Sequence, residues 1–183
     1  MTVHTKNTIL FTLSLLCFVA CSEDELQIEP GDGEMFLNGE LIQLGGGSAF
    51  SNCGTGKLEA ALVHVNESNG RSLQINISNL PAQTGSYTLQ NEPSVQNRCT
   101  TNLLLTNART SYQNVLAERF SIIESSTINE LIITRFDTIA ARLEGRFQMT
   151  LVLEEQIRSD PEDFSDTLRI THGTFSVPIL PND

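Results

Sequence analysis

The sequence predicts an all-β domain, an antiparallel sandwich or partly open barrel of about eight to ten strands with at most one short helix. Three observations carry this. Asn38-Gly39 sits between Met35-Phe36-Leu37 and Glu40-Leu41-Ile42-Gln43-Leu44. Asn-Gly between apolar runs signals a hairpin, because a type I′ turn needs positive φ at both central residues. From Leu143 to Glu154 apolar and polar residues alternate, with only Val152 breaking the polar set. A sustained period of two is a half-buried antiparallel strand. Elsewhere, short apolar runs are divided by polar turn residues, and no long helical periodicity appears.

In chain order, the Asn-Gly hairpin comes first. Gly45-Gly46-Gly47 through Gly54 then reads as a flexible segment. Leu58 to Val65 is apolar on both faces, as for a covered central strand. Leu73 to Ser78 alternates with its odd positions inward. Ser86-Tyr87-Thr88-Leu89 and Thr100 to Thr106 are further short strands. Tyr112, Val115, Leu116, Arg119 and Phe120 share one face of a short helix, although a strand through Arg119 to Ile123 fits equally. Leu131 to Phe136 is a strand leading to Asp137. After the long alternation, residues 158–166 form a polar loop. Along the last strand the inward parity changes between Leu168/Ile170 and Phe175/Val177/Ile179, which one extra residue near His172-Gly173 would repair, so a β-bulge is expected there. Pro178 suits an edge or a strand end. Gly145-Arg146-Phe147 and Gly173-Thr174-Phe175 share a Gly-x-Phe step, expected to pair so that each Gly makes room for a Phe ring.

The N-terminus reads as an export signal. Met1 to Asn7 is polar with Lys6 and no acid, and Thr8 to Ala20 is an uncharged, mostly apolar run. That run is shorter than the roughly 20 apolar residues of a transmembrane helix, and the order matches a secretory leader. Phe18-Val19-Ala20-Cys21 resembles a bacterial lipobox, which implies cleavage before Cys21 and acylation of its thiol. Residues 1–20 are then the leader, 21–33 a lipidated acidic tether, and 34–183 a single β domain. More than one acyl chain is needed for durable anchoring. Ser22-Glu23-Asp24-Glu25 resembles the acidic tract that sends Bacteroidetes lipoproteins to the outer face of the outer membrane; the periplasmic face is the other option. Of the four Cys, Cys53 and Cys99 are left in an oxidising compartment and read as one disulfide, with two buried thiols as the alternative. The 46-residue loop would stabilise the fold by about 4 kcal/mol in the chain-entropy model.

Asn38-Gly39, Gly85-Ser86-Tyr87-Thr88-Leu89, the strand Ile132 to Asp137, Gly145-Arg146-Phe147 and Gly173-Thr174-Phe175 together resemble a family of small Bacteroidetes outer-membrane lipoproteins of unknown function. The resemblance covers roughly residues 35 to 180. It implies a β fold at the cell surface and no activity. Asp137-Thr138-Ile139 and Asp166-Thr167-Leu168 resemble the O-glycosylation sequon of exported Bacteroidetes proteins, which would modify Thr138 and Thr167.

Composition narrows the function. The formal charge is −11, from 22 acids and 11 bases, so a basic footprint for nucleic acid is missing. Trp is absent and Tyr occurs twice, which disfavours stacking platforms. Removing residues 1–20 leaves 22 acids against 10 bases, or −12, with six acids between Glu23 and Glu34. The acidity thus reflects tether and surface hydration more than cation binding. His64 lies on a strand face with Leu58, Ala60 and Leu62 and reads as a packed or rim histidine. His172 with Asp137 is the only outline of a Ser-His-Asp site, and no Gly-x-Ser-x-Gly elbow accompanies it. Asp160, Glu162, Asp163 and Asp166 match no calcium loop. Gly54-Thr55-Gly56-Lys57 fails as a phosphate loop because Leu58 follows. The expectation is a lipid-anchored, non-enzymatic binding or interaction module without metal or cofactor, contacting an envelope protein or external ligand. The alternative is a carrier of small apolar ligands in a barrel cavity, and an undetected hydrolase stands third.

Overall fold

The computed structural model describes residues 30–52, 57–91, 103–113, 115–123, 128–158 and 164–181. They form eleven strands and no helix: β1 (Asp32–Leu37), β2 (Glu40–Leu44), β3 (Gly46–Asn52), β4 (Lys57–Asn66), β5 (Arg71–Pro81), β6 (Gly85–Asn91), β7 (Leu104–Tyr112), β8 (Val115–Ile122), β9 (Glu130–Asp137), β10 (Arg142–Gln156) and β11 (Thr167–Leu180).

The hydrogen-bonded ladder closes on itself. It runs β11-β3-β4-β5-β7, then β6-β9-β10, and β10 pairs back onto β11. β8 is a second bridge between β7 and β10, on the half of each that β6 and β9 leave uncovered. The β1–β2 hairpin attaches to β11 along Ile170 to Ser176, beyond the two residue pairs that join β11 to β3. β2 has no ladder to β4, and the barrel wall is open there. The fold is all-β as expected, and of the sandwich and the partly open barrel it takes the second, with two refinements. There are eleven strands, and β3–β11 and β6–β7 pair in parallel.

The Asn-Gly hairpin forms as expected: Leu37 pairs with Glu40, and Asn38 and Gly39 take φ of 52° and 89°. On β5, Leu73, Ile75 and Ile77 face inward. Asn79 (φ 63°) marks a bulge opposite Glu59, after which Leu80 is inward. On β4 the expectation fails, because one face is covered and the other partly wet: Leu58, Ala60 and Leu62 are buried while Val65 is exposed. β3 was hidden by its glycines. A Cβ on Gly47 would lie 2.8 Å from both the Ala61 carbonyl oxygen and the Val177 side chain, so this Gly permits close approach rather than flexibility.

Leu104–Tyr112 and Val115–Ile122 are paired strands, β7 and β8, where a short helix was the expectation beside a strand. Inward positions on β8 are Glu118, Phe120 and Ile122. A buried carboxylate in the inward set disguises the period of two. Thr110 Oγ1 donates to Glu118 Oε2 at 2.8 Å, one of the hydrogen bonds that burial of a carboxyl group demands.

β10 and β11 carry the barrel's main seam. On β10, Leu143, Gly145, Phe147, Met149 and Leu151 are buried in alternation. On β11, Thr171 and His172 together face Gln148, and His172 has φ of 52°. This is the expected bulge, and it moves the inward set from Leu168/Ile170 to Gly173/Phe175/Val177. Pro178 lies in the last pair of the β10–β11 ladder, opposite Arg142. Across the seam Gly145 pairs with Phe175 and Phe147 with Gly173. A Cβ on Gly173 would fall 2.6 Å from the Phe147 ring, and one on Gly145 would fall 2.6 Å from both the Phe175 ring and the Ile132 oxygen. Each ring therefore lies over the opposing glycine, and the two centroids are 6.2 Å apart.

Asn129 repairs the break where β10 changes partner from β9 to β8. Its Oδ1 accepts from Thr150 N–H at 3.0 Å and its Nδ2 donates to the Ile123 oxygen at 2.8 Å.

Gly173→Ala is expected to cost about 1–3 kcal/mol by overpacking. In the Phe147→Leu background the same change should cost about 1 kcal/mol less, because the atoms in its way belong to that ring. Denaturant unfolding of the four proteins in the cycle checks this. Additive losses would contradict the reciprocal packing.

Candidate functional site

Strand directions give the barrel two rims. The proximal rim holds the start of β1, the β9–β10 turn and the end of β11. The distal rim holds the Asn38-Gly39 turn, the β4–β5 turn and the β7–β8 turn. At the distal rim, where the wall is open, lies a groove of about 570 Å³. Its lining includes Leu37, Ile42, Gln43, His64, Asn66 and Phe164.

A long-range bond holds one wall and local bonds hold the other. Asn38 is the pin of the first: Arg169 N–H donates to Asn38 Oδ1 at 2.8 Å, and Asn38 N–H donates to the Arg169 oxygen at 2.9 Å. The tip of the hairpin is thereby fixed to β11. In the second wall, Asn66 Oδ1 accepts from Ser68 N–H at 3.1 Å and from Ser68 Oγ at 2.6 Å. Asn69 Oδ1 accepts from Arg71 N–H at 3.1 Å. Asn side chains favour such local bonds, which shape turns without help from distant parts of the chain. The Arg71 guanidinium lies 4.3 Å from the Phe164 ring centroid, a cation–π contact that positions both.

His64 crosses the open seam. Its Nδ1 is 2.8 Å from the Gln43 carbonyl oxygen. A carbonyl only accepts, so Nδ1 carries the hydrogen, and the neutral ring keeps a lone pair on Nε2. The groove thus joins amide groups, one carboxylate (Glu40), one imidazole and one guanidinium to the apolar side chains of Leu37, Leu41 and Ile42. Such a site suits a small ligand, or a short segment of a partner, that is polar on one side.

His64 is therefore a rim residue, as expected. His172 is exposed with its ring edge-on to Phe36, centroids 6.0 Å apart. Asp137 is at the proximal rim, six positions along β11 from His172 by ladder register, roughly 20 Å at strand rise. The structure does not bring this pair together. Thr138 and Thr167 are both exposed. Cys21, Cys53, Cys99, Asp160, Glu162 and Asp163 lie outside the described residues, and Asp166 is exposed. Among the described residues no group of three or more His, Cys, Asp or Glu is arranged to hold a metal ion. The groove itself was not foreseen. Its residues come from positions 37 to 164, and no local pattern links them.

Asp137 organises the β9–β10 turn. Its Oδ1 accepts from Ile139 N–H at 2.9 Å and Ala140 N–H at 2.8 Å, and Arg135 donates to Oδ2 at 2.7 Å. The Ala140 amide above all, and then Arg135, hold this carboxyl below the usual carboxylate range. A depressed folded value means that the stabilisation is present above the ordinary Asp value and lost as pH falls through the folded one.

Two measurements check these assignments. Long-range proton–nitrogen NMR should find neutral His64 protonated on Nδ1, and the Nε2–H tautomer would contradict the seam bond. The Ile139 and Ala140 amide shifts should titrate with a midpoint below about 3.9, the ordinary Asp value, and Asp137→Asn should abolish that titration. Comparison of the chain with family models, curated proteins and solved structures gives no match, so the groove is read from its own geometry.

Proposed function

We propose that this protein is a lipid-anchored binding module of the cell envelope, acylated at Cys21 and held at the outer membrane, where it faces the exterior. The groove at the distal rim takes a partner segment or a small polar ligand. The observation that carries this reading is the polarity of the barrel. β1 begins at the proximal rim, and the groove lies at the other. A tether fixed to one rim leaves the opposite rim free to meet ligands.

Two further features support it. The inward faces of the described strands gather into one hydrophobic cluster that runs from Met35 through Ile75 and Phe120 to Val177. Side chains packed together inside a barrel favour a surface site over an internal carrier cavity. The groove's walls are held by Asn38, Asn66 and Asn69 through hydrogen bonds within the protein, so binding costs little ordering. Exposure of Thr138 and Thr167 suits modification at either position.

Two experiments test the reading. Native protein should fractionate with the outer membrane and Cys21→Ser protein should not; equal fractionation would end the anchoring claim. In NMR titrations with small amides and monosaccharides, shifts should concentrate at Asn38, Gln43 and residues 66–71. Shifts confined to interior methyls such as Leu62 and Ile75 on adding a fatty acid would establish the carrier instead.

A further inference from the structure

Ile139 is 98% exposed, the most exposed of the large hydrophobic residues described. An isolated exposed Leu or Ile on a surface needs no explanation. This one sits at the tip of a turn whose conformation is fixed. Asp137 bonds both following amides, Arg135 bridges Asp137 and Glu144, and the Ala141 oxygen accepts from Ile179 N–H at 2.7 Å. The neighbours Thr138, Ala140 and Ala141 are exposed as well. The turn therefore holds an apolar side chain in water, where a polar residue would serve the turn equally well.

Its location suggests what covers it. Arg142, which follows the turn, lies 3.7 Å from Asp32, the first residue of β1, and Arg142 Nε donates to Ser176 Oγ beside it. Gly31 is buried against Gly47 and Val177. The chain therefore enters the barrel wall next to the β9–β10 turn. Ten residues lie between Cys21 and Asp32, and the eleven steps reach at most about 40 Å. A tether this short keeps the proximal rim near the bilayer, at high effective concentration.

We propose that the β9–β10 turn is a second membrane contact, with Ile139 inserted into the interfacial region of the lipid bilayer that holds Cys21. This inference rests on the lipid anchor of the proposed function. Insertion fixes the barrel's orientation and turns the distal groove away from the membrane. A glycan on Thr138 would hold the turn off the bilayer, so of the two sequon threonines the contact leaves Thr167 as the one open to modification.

The protein has no Trp, so Ile139→Trp and Val65→Trp each introduce a single reporter, the first at the turn and the second on β4 toward the distal rim. Ile139 is 98% and Val65 52% exposed, so each ring has room on the solvent side. Full-length acylated variants are reconstituted in phosphatidylethanolamine–phosphatidylglycerol vesicles with brominated acyl chains. The expected result is flotation of both proteins, with fluorescence quenched at least threefold more at position 139 than at 65. Flotation with equal or absent quenching at 139 overturns the contact while leaving the anchor intact. Failure to float, with no acyl mass on Cys21, overturns the anchor and this proposal with it. A hexose mass mapped to Thr138 in native protein also overturns the contact.

Discussion

The reciprocal packing of Phe147 on Gly173 and Phe175 on Gly145 is the constraint on which the rest of the barrel depends. β11 carries β10 on one edge and both β1 and β3 on the other. β10 carries β11 on one edge and both β9 and β8 on the other. Every other strand is therefore placed, directly or through one or two neighbours, by the register of this hairpin. Two large rings in adjacent strands fill the inward layer only if the residue opposite each has no side chain. A slip of one residue would turn the inward set outward, and a slip of two would set Phe147 against Phe175.

Local irregularities then keep the core continuous. The bulge at His172 and the one at Asn79 each change the inward parity of a strand, so that long strands can bend around a closed wall and still present apolar residues at both ends. Asn129 serves a related purpose at the partner change on β10, where a backbone donor would otherwise be buried without an acceptor. The same economy explains the groove. Between β2 and β4 the ladder is missing, and a side-chain bond from His64 spans the gap. What the barrel lacks in wall it presents as a site.

Much of the fold was legible in the sequence because its signals are local. Asn38-Gly39 specifies a turn from two residues, the alternation along β10 needs only one strand, and the parity change in β11 announces its own bulge. The features that escaped notice depend on distant partners. The glycines of β3 read as flexibility because Ala61 and Val177, which require Gly47, are remote in the chain. The inward Glu118 of β8 interrupts the apolar alternation there, and Thr110, its partner, belongs to the neighbouring strand. The candidate site was hidden for the same reason: Asn38, His64, Arg71 and Phe164 meet only once the barrel closes.

Native-state hydrogen exchange tests the central role of the β10–β11 seam most directly, since it ranks segments by the free energy needed to open them. The backbone amides around Gly145 to Phe147 and Gly173 to Phe175 are expected to be among the slowest in the domain and to exchange only through global unfolding. Sub-global exchange at this seam, with β4 and β5 still protected, would contradict it.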